Sequence, residues 1–176
     1  MQRLFAIAVA ALLVVPAAEA QQQGRMIVNT LSGKCLDVSG APGVNRGAPL
    51  ILYDCERSGY NPNGTPSDQF WIFSGGFIRN ALSGKCIDVS GAPGVGNGAR
   101  LQLWDCETSG RSSNGALTDQ LWALRPDGFI VNQNSGKCID VSGAPGVGNG
   151  APVQLWDCEN SGRNPNGSVT DQRWRY

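Results

Sequence analysis

Most of this chain is one unit written three times. Ser83–Ala99 reads SGKCIDVSGAPGVGNGA, and Ser135–Ala151 repeats it 52 residues further on. Ser32–Ala48 reads SGKCLDVSGAPGVNRGA, 51 residues before the second copy. Each copy continues to a Cys-Glu pair, at Cys55, Cys106 and Cys158, and then to Asp-Gln-x-Trp, at Asp68–Trp71, Asp119–Trp122 and Asp171–Trp174. The repeats run approximately 25–75, 76–127 and 128–176. A unit of about 50 residues that cannot cover its own apolar face must bury it against its copies. The fold is therefore a question of how three such units share one core.

Within a unit the signals are short strands joined by Gly, Pro, Asn and Ser. The second copy offers Phe77–Asn80, Lys85–Val89, Leu101–Cys106 and Gln120–Leu124. No window carries the periodicity of an amphipathic helix. Four strands per repeat give about twelve in all. The Leu-Trp-Asp strings at 103–105 and 155–157 suggest a propeller blade. A propeller needs at least four blades, however, and solenoid spacing is missing. A closed three-fold barrel fits best, because closure leaves no sheet edge exposed.

The six cysteines lie at 35/55, 86/106 and 138/158, always twenty apart and one pair per repeat. Fifteen pairings are open to six cysteines. The even spacing and the repetition favour the local one, each bridge contributing roughly 3 kcal/mol through loop closure. A metal role is disfavoured, since neither paired CxxC spacing nor any histidine is present.

Strand parity then separates a core face from an outer face. Cys86 and Asp88 point one way, Ile87 and Val89 the other. Gln102, Trp104 and Cys106 share one face, while Leu101 and Leu103 share the opposite one. A Cys86–Cys106 bridge draws a carboxylate, a carboxamide and an indole around one shallow depression. The third repeat offers the same set as Asp140, Gln154 and Trp156. This suits a sugar: C–H groups of a pyranose pack on the indole, and its hydroxyls need acceptors and donors. The competing reading makes Trp104 and Trp156 packing residues and Asp88 and Asp140 turn formers, but Leu101 and Leu103 already occupy the core face.

Composition excludes much else. The 176 residues contain 14 acidic and 14 basic side chains, a formal net charge of zero, and no histidine. No electrostatic footprint for nucleic acid exists, and histidine-dependent nucleophiles and bases are ruled out. At the N-terminus, Gln2-Arg3 precedes an apolar run, Leu4–Val15, that ends at Pro16 and Ala18-Glu19-Ala20. This pattern reads as a signal peptide over 1–20, because roughly 12 apolar residues fall short of the ~20 that span a bilayer. The protein is accordingly expected outside the cytoplasm, extracellular or periplasmic, without membrane insertion, and the folded domain over 21–176. Gly94–Gly98 resembles a phosphate loop only superficially, lacking Gly-Lys-Ser/Thr and a following helix. Asn63-Gly-Thr65 and Asn166-Gly-Ser168 are glycosylation sequons, meaningful in a eukaryotic secretory pathway.

Cys-x-Asp-Val, Gln-Leu-Trp-x-Cys (Ile-Leu-Tyr-x-Cys in repeat 1) and Gln-x-Trp, in that order and three times over, resemble the ricin-type β-trefoil lectins and related modules of secreted glycosidases. The resemblance covers the chain beyond residue 20. It implies an all-β trefoil that binds sugars, galactose- or xylose-type, at up to three sites. By that similarity Asp37, Asp88 and Asp140 bind hydroxyls, Tyr53, Trp104 and Trp156 stack on the ring, and Gln102 and Gln154 assist. Asp68, Asp119 and Asp171 complete the pockets, Gln69, Gln120 and Gln172 brace them, and Trp71, Trp122 and Trp174 are core. Ile51 and Tyr53 replace the pocket Gln and Trp in repeat 1, so repeats 2 and 3 are expected to bind most strongly. Asp68, Asp119 and Asp171 stand where the best-known copies carry Asn, which an ionised Asp cannot match as a donor. The long segment before each Gln-x-Trp, 13 residues between Cys106 and Gln120, either walls the pocket or extends a surface loop.

The partner implied is a glycan or polysaccharide, with no cofactor. A glycosidase working through two carboxylates is disfavoured, since the acids recur in triplicate with no singular pair. An inhibitor or other protein-binding trefoil would be expected to carry one distinctive loop, whereas these loops are nearly alike.

Overall fold

Apolar residues at every second position make the repeats pleat into strands with one buried side. The computed structural model describes residues 24–176; the expected leader, 1–20, lies outside the described residues. Thirteen short strands follow in order: β1 (Arg25–Met26), β2 (Val28–Asn29), β3 (Cys35–Val38), β4 (Leu50–Tyr53), β5 (Phe70–Ser74), β6 (Phe77–Asn80), β7 (Cys86–Val89), β8 (Leu101–Trp104), β9 (Trp122–Leu124), β10 (Ile130–Asn132), β11 (Cys138–Val141), β12 (Val153–Trp156) and β13 (Trp174–Arg175). The thirteenth arises because the first strand is split around the buried Ile27. Arg25 and Met26 pair with β5, and Val28 and Asn29 turn to β13. The strand ends also differ from expectation: Cys106 and Gln120 fall in connectors beyond β8 and before β9.

All pairings are antiparallel, in three sheets ordered β1-β5-β6-β7-β8, β12-β11-β10-β9 and β13-β2-β3-β4. The last strand lies on the first repeat, Trp174 opposite Asn29. The three sheets are stitched in a ring. Leu103 N donates to Ala48 O at 2.9 Å, Leu155 N to Ala99 O at 2.8 Å, and Leu52 N to Ala151 O at 2.9 Å. The barrel closes, and the architecture is a β-trefoil.

Leu36, Ile87 and Ile139 meet Leu52, Leu103 and Leu155 in the core, with Val38, Val89 and Val141 beneath, all fully buried. Each such side chain contributes roughly 1.5–3 kcal/mol by leaving water. The Gln-x-Trp tryptophans are core residues, as expected. Their indole N–H groups donate to Leu36 O, Ile87 O and Ile139 O, each at 3.1 Å, so burial leaves no donor unpaired. Cys35–Cys55, Cys86–Cys106 and Cys138–Cys158 are bridged, one disulfide per repeat.

A second ring was not read from the sequence. Asn29, Asn80 and Asn132 are fully buried, and their Nδ2 groups donate to Asp171 O, Asp68 O and Asp119 O at 2.5–2.6 Å. Each asparagine thus ties its repeat to the one before, cyclically. The available signal was an Asn six residues before the first Cys in every copy.

Candidate functional site

In repeat 3, Asp140 on β11 lies directly opposite Gln154 on β12, and Cys138 opposite Trp156. Opposed residues share a face, so the disulfide, the carboxylate, the amide and the indole all stand outside the core. Gln154 Nε2 donates to Asp140 Oδ2 at 2.8 Å, and Gln172 Nε2 donates to Asp140 Oδ1 at 3.1 Å. The remaining capacity of Gln172 is used on backbone: Nε2 donates to Asp157 O at 3.0 Å, and Oε1 accepts from Glu159 N at 2.9 Å. Gln172 is a brace, as are Gln120 on Asp88 Oδ1 at 3.0 Å and Gln69 on Asp37 Oδ2 at 2.7 Å. Gln102 repeats the role of Gln154, donating to Asp88 Oδ2 at 2.8 Å.

Asp140, Gln154 and Trp156 floor a depression of about 400 Å³ in repeat 3. Its walls come from the turn at Ser142–Ala144 and from Asn164, Pro165 and Asn166 in the long segment. The two walls are tied, Asn166 Nδ2 donating to Ala144 O at 2.6 Å; Asn114 to Ala92 and Asn63 to Ala41 do the same at 2.7 and 2.8 Å. The long segment therefore walls the pocket and is not a free surface loop. Repeat 1 holds a smaller hollow of about 260 Å³, lined by Asp37, Ile51, Tyr53, Asn61 and Asn63 among others.

The aspartates before each Gln-x-Trp glutamine are placed differently from expectation. Asp68, Asp119 and Asp171 are buried and do not line the hollows of repeats 1 and 3. Their Oδ2 atoms accept from Gly43 N, Gly94 N and Gly146 N, at 2.7 Å for Gly94. A Cβ at Gly94 would come within 2.5 Å of Val89 Cγ1, so only glycine lets this turn settle against the carboxylate. These aspartates hold a pocket wall from behind. A carboxylate suits that task, because the group it meets is an N–H donor.

Burial pushes the paired carboxyls upward. Asp37, Asp88 and Asp171 rise to about 7 and Asp68 to about 6, desolvation being the largest cause in each and the amide or backbone hydrogen bonds opposing it. Asp119 and Asp140 are raised for the same reason. Glu56 and Glu159 also line the two hollows. The Oε2 atoms of Glu56, Glu107 and Glu159 are buried with no hydrogen-bond partner among the described residues. The sequence marked them only as the residue after the second Cys.

This three-fold fold is that of a lectin family. Residues 23–114 and again 74–176 match the ricin-type beta-trefoil lectin domain, and the chain belongs to that carbohydrate-binding family. Among relatives, it is 30% identical over 137 residues to the galactose/N-acetylgalactosamine-binding lectin CEL-III of Pseudocnus echinatus, covering 75% of this chain and 28% of that protein. It is 28% identical over 148 residues to polypeptide N-acetylgalactosaminyltransferase 15 of Mus musculus, covering 84% of this chain and 19% of that one. The chain thus corresponds to a minor part of both. The solved structure of hemolytic lectin CEL-III superposes with a TM-score of 0.62 at 29% identity, over 88% of this chain and 29% of that one. ThreeFoil, a designed 3-fold symmetric protein, gives 0.62 at 25% identity, over 88% and 96%.

Proposed function

We propose that this protein is an exported, non-catalytic lectin that grips galactose-type glycans through shallow pockets, strongest in repeats 2 and 3. The observation that carries this reading is the hollow of repeat 3, where a half-buried Trp156 stands beside Asp140, Gln154 and the amides of Asn164 and Asn166. The indole offers a flat apolar face, Asp140 accepts from adjacent hydroxyls, and the amides accept and donate. Asp88, Gln102 and Trp104, with Asn114, form the equivalent site of repeat 2. Asp37 and Tyr53 form a lesser one in repeat 1. The galactose-type preference over xylose is supported by the sugars for which CEL-III is named. A hydrolytic role is disfavoured because the carboxylates recur in triplicate with no singular pair in one repeat, and both oxygens of Asp140 and Asp88 already accept from glutamine amides.

Open sites of this kind bind one sugar at about millimolar strength, and two on one rigid frame raise polymer avidity by about 100-fold. The test is calorimetry with methyl galactoside and methyl xyloside alongside retardation in galactan gels. Retention of galactan that far exceeds monosaccharide affinity, and that falls steeply in Trp156→Ala, supports the reading. Equal per-site affinity for polymer and monosaccharide, or a preference for the xyloside, overturns the multivalent or the galactose part respectively. N-terminal sequencing of exported protein tests cleavage after Ala20.

A further inference from the structure

Each pocket is edged by residues from the repeat before it, and those borrowed residues are not alike. The outer edge of β8 is met by the turn of repeat 1, where Gly47 N donates to Leu103 O at 2.7 Å. Gly98 N meets Leu155 O and Gly150 N meets Leu52 O in the same way, both at 2.8 Å. Just before each glycine stands a corner residue. Asn97 Nδ2 donates to Asp157 and Asn149 Nδ2 to Asp54, each at 2.8 Å, and a lysine completes each carboxylate. At the third corner the residue is Arg46. Its guanidinium lies 3.8 Å from the centroid of the Trp104 ring and 3.7 Å from Asp105, which Lys85 already approaches at 3.5 Å. Two cations share one carboxylate there, and the Arg46 side chain is 52% exposed.

The next borrowed position varies as well. Pro49 is bridged to Gln102 and Pro152 to Ile51, but Arg100 is bridged to Gln154. Directly opposed residues in antiparallel pairs project from the same face. Arg100 is exposed and so emerges beside Gln154 on the pocket side of the sheet, making no ion pair among the described residues. Repeats 2 and 3 each carry one arginine at the rim away from the pocket aspartate. Repeat 1 has Asn149 and Pro152 there.

We infer that the sites of repeats 2 and 3 take acidic glycans, in which the sugar seated in the pocket neighbours a residue bearing a carboxylate or a sulfate ester that Arg46 or Arg100 receives. The inference rests on the lectin reading above and names its ligand class. A guanidinium presents paired, planar N–H donors that match either anion. The chain has a formal net charge of zero, so an attraction to polyanions would come from these local cations and not from the molecule as a whole.

The test uses Arg46→Asn and Arg100→Pro, substitutions whose fit the other repeats already demonstrate at the equivalent positions. Retardation is measured in gels of neutral galactan, polygalacturonate and a sulfated galactan, with methyl galactoside calorimetry alongside. The readout is the ratio of acidic to neutral polymer affinity. At low ionic strength the unaltered protein is expected to favour an acidic polymer by about tenfold, each variant to remove about threefold, and the double variant to bring the ratio near one. About 0.5 M salt is expected to erase the excess. Preference for polygalacturonate or for the sulfated polymer tells which anion the rim takes. A ratio unchanged in the double variant, or acidic retention that survives Trp104→Ala with Trp156→Ala, overturns the inference. Galactoside binding with a ratio of one in the unaltered protein overturns this inference alone; no binding to any of the three polymers or to galactoside overturns the lectin reading with it.

Discussion

Repeats 1 and 3 share a frame and differ in what they hang on it. Trp71 and Trp174 reach their carbonyls at the same 3.1 Å, and Asp68 and Asp171 accept from Gly43 and Gly146 at the same 2.5 Å. The outward residues diverge: Ile51 lies opposite Asp37 and Tyr53 opposite Cys35, where Gln154 lies opposite Asp140 and Trp156 opposite Cys138, and the hollow shrinks from about 400 to about 260 Å³. Strand alternation makes this independence possible. A substitution at an outward position leaves the inward register intact, so one copy can keep its structural duty while its pocket chemistry changes.

The harshest way to break the comparison is to attack the frame. Trp71→Ala and Trp174→Ala each remove a buried indole with its hydrogen bond and are expected to cost about 3–5 kcal/mol. Equivalence of the frames requires nearly equal losses in denaturant unfolding. A loss confined to one repeat would show that the repeats do not share the load.

Attacking the rims should separate the repeats instead. Asp140→Ala is expected to cost on the order of 2–3 kcal/mol at its site, more than about thirtyfold in galactoside affinity. Asp37→Ala is expected to change total binding less than twofold, and Asp88→Ala combined with Asp140→Ala to abolish galactan retention. Calorimetry on the three proteins decides it, and equal losses from Asp37 and Asp140 would erase the distinction between the sites.

A smaller effect tests what the repeats have in common. Aspartates titrate near 3.9 in an unfolded chain, whereas burial raises Asp37, Asp88 and Asp171 to about 7 and Asp68 to about 6. Between about pH 4 and 7 the folded protein therefore binds more protons than the unfolded chain, and stability falls as pH rises through that window. The melting temperature should be higher at pH 5 than at pH 8, by at least about 5 °C. Replacing Asp68, Asp119 and Asp171 together with Asn should make the slope shallower, Asp37, Asp88 and Asp140 keeping their share of it. A melting temperature that climbs from pH 5 to pH 8 would contradict the burial argument.

Much of this molecule was legible because repetition and parity are properties of a linear string. The local disulfides, the inward Leu101 and Leu103 and the grouping of Asp88, Gln102 and Trp104 all follow from counting. What stayed hidden depends on contacts between distant segments. Whether Asp119 faced a ligand or the Gly94 amide could not be told without the turn's path, and Asn166 joined the pocket wall only through its bond to Ala144. The role of Arg46 was hidden for the same reason, since its neighbour Trp104 belongs to the next repeat.

The mildest change would try to erase the difference between repeats 1 and 3 by building the missing chemistry. Ile51→Gln with Tyr53→Trp gives repeat 1 the outward pair of repeat 3. Leu36, Leu50 and Leu52 continue to fill the core, because both substituted side chains project outward and only partly buried surface changes. The new amide stands opposite Asp37 on the adjacent strand, in the register that lets Gln154 reach Asp140. Gly150 leaves open space where Gly98 lies against Trp156, so the larger ring has room. The expected gain is about 1 kcal/mol at that site, roughly fivefold in galactoside affinity, with a further rise in galactan retention as a third strong contact joins the other two. Calorimetry in an Asp88→Ala, Asp140→Ala background isolates the rebuilt site. If that site stays silent although the protein melts normally, the smaller hollow walled by Asn61 and Asn63, and not the missing Gln and Trp, is what weakens repeat 1.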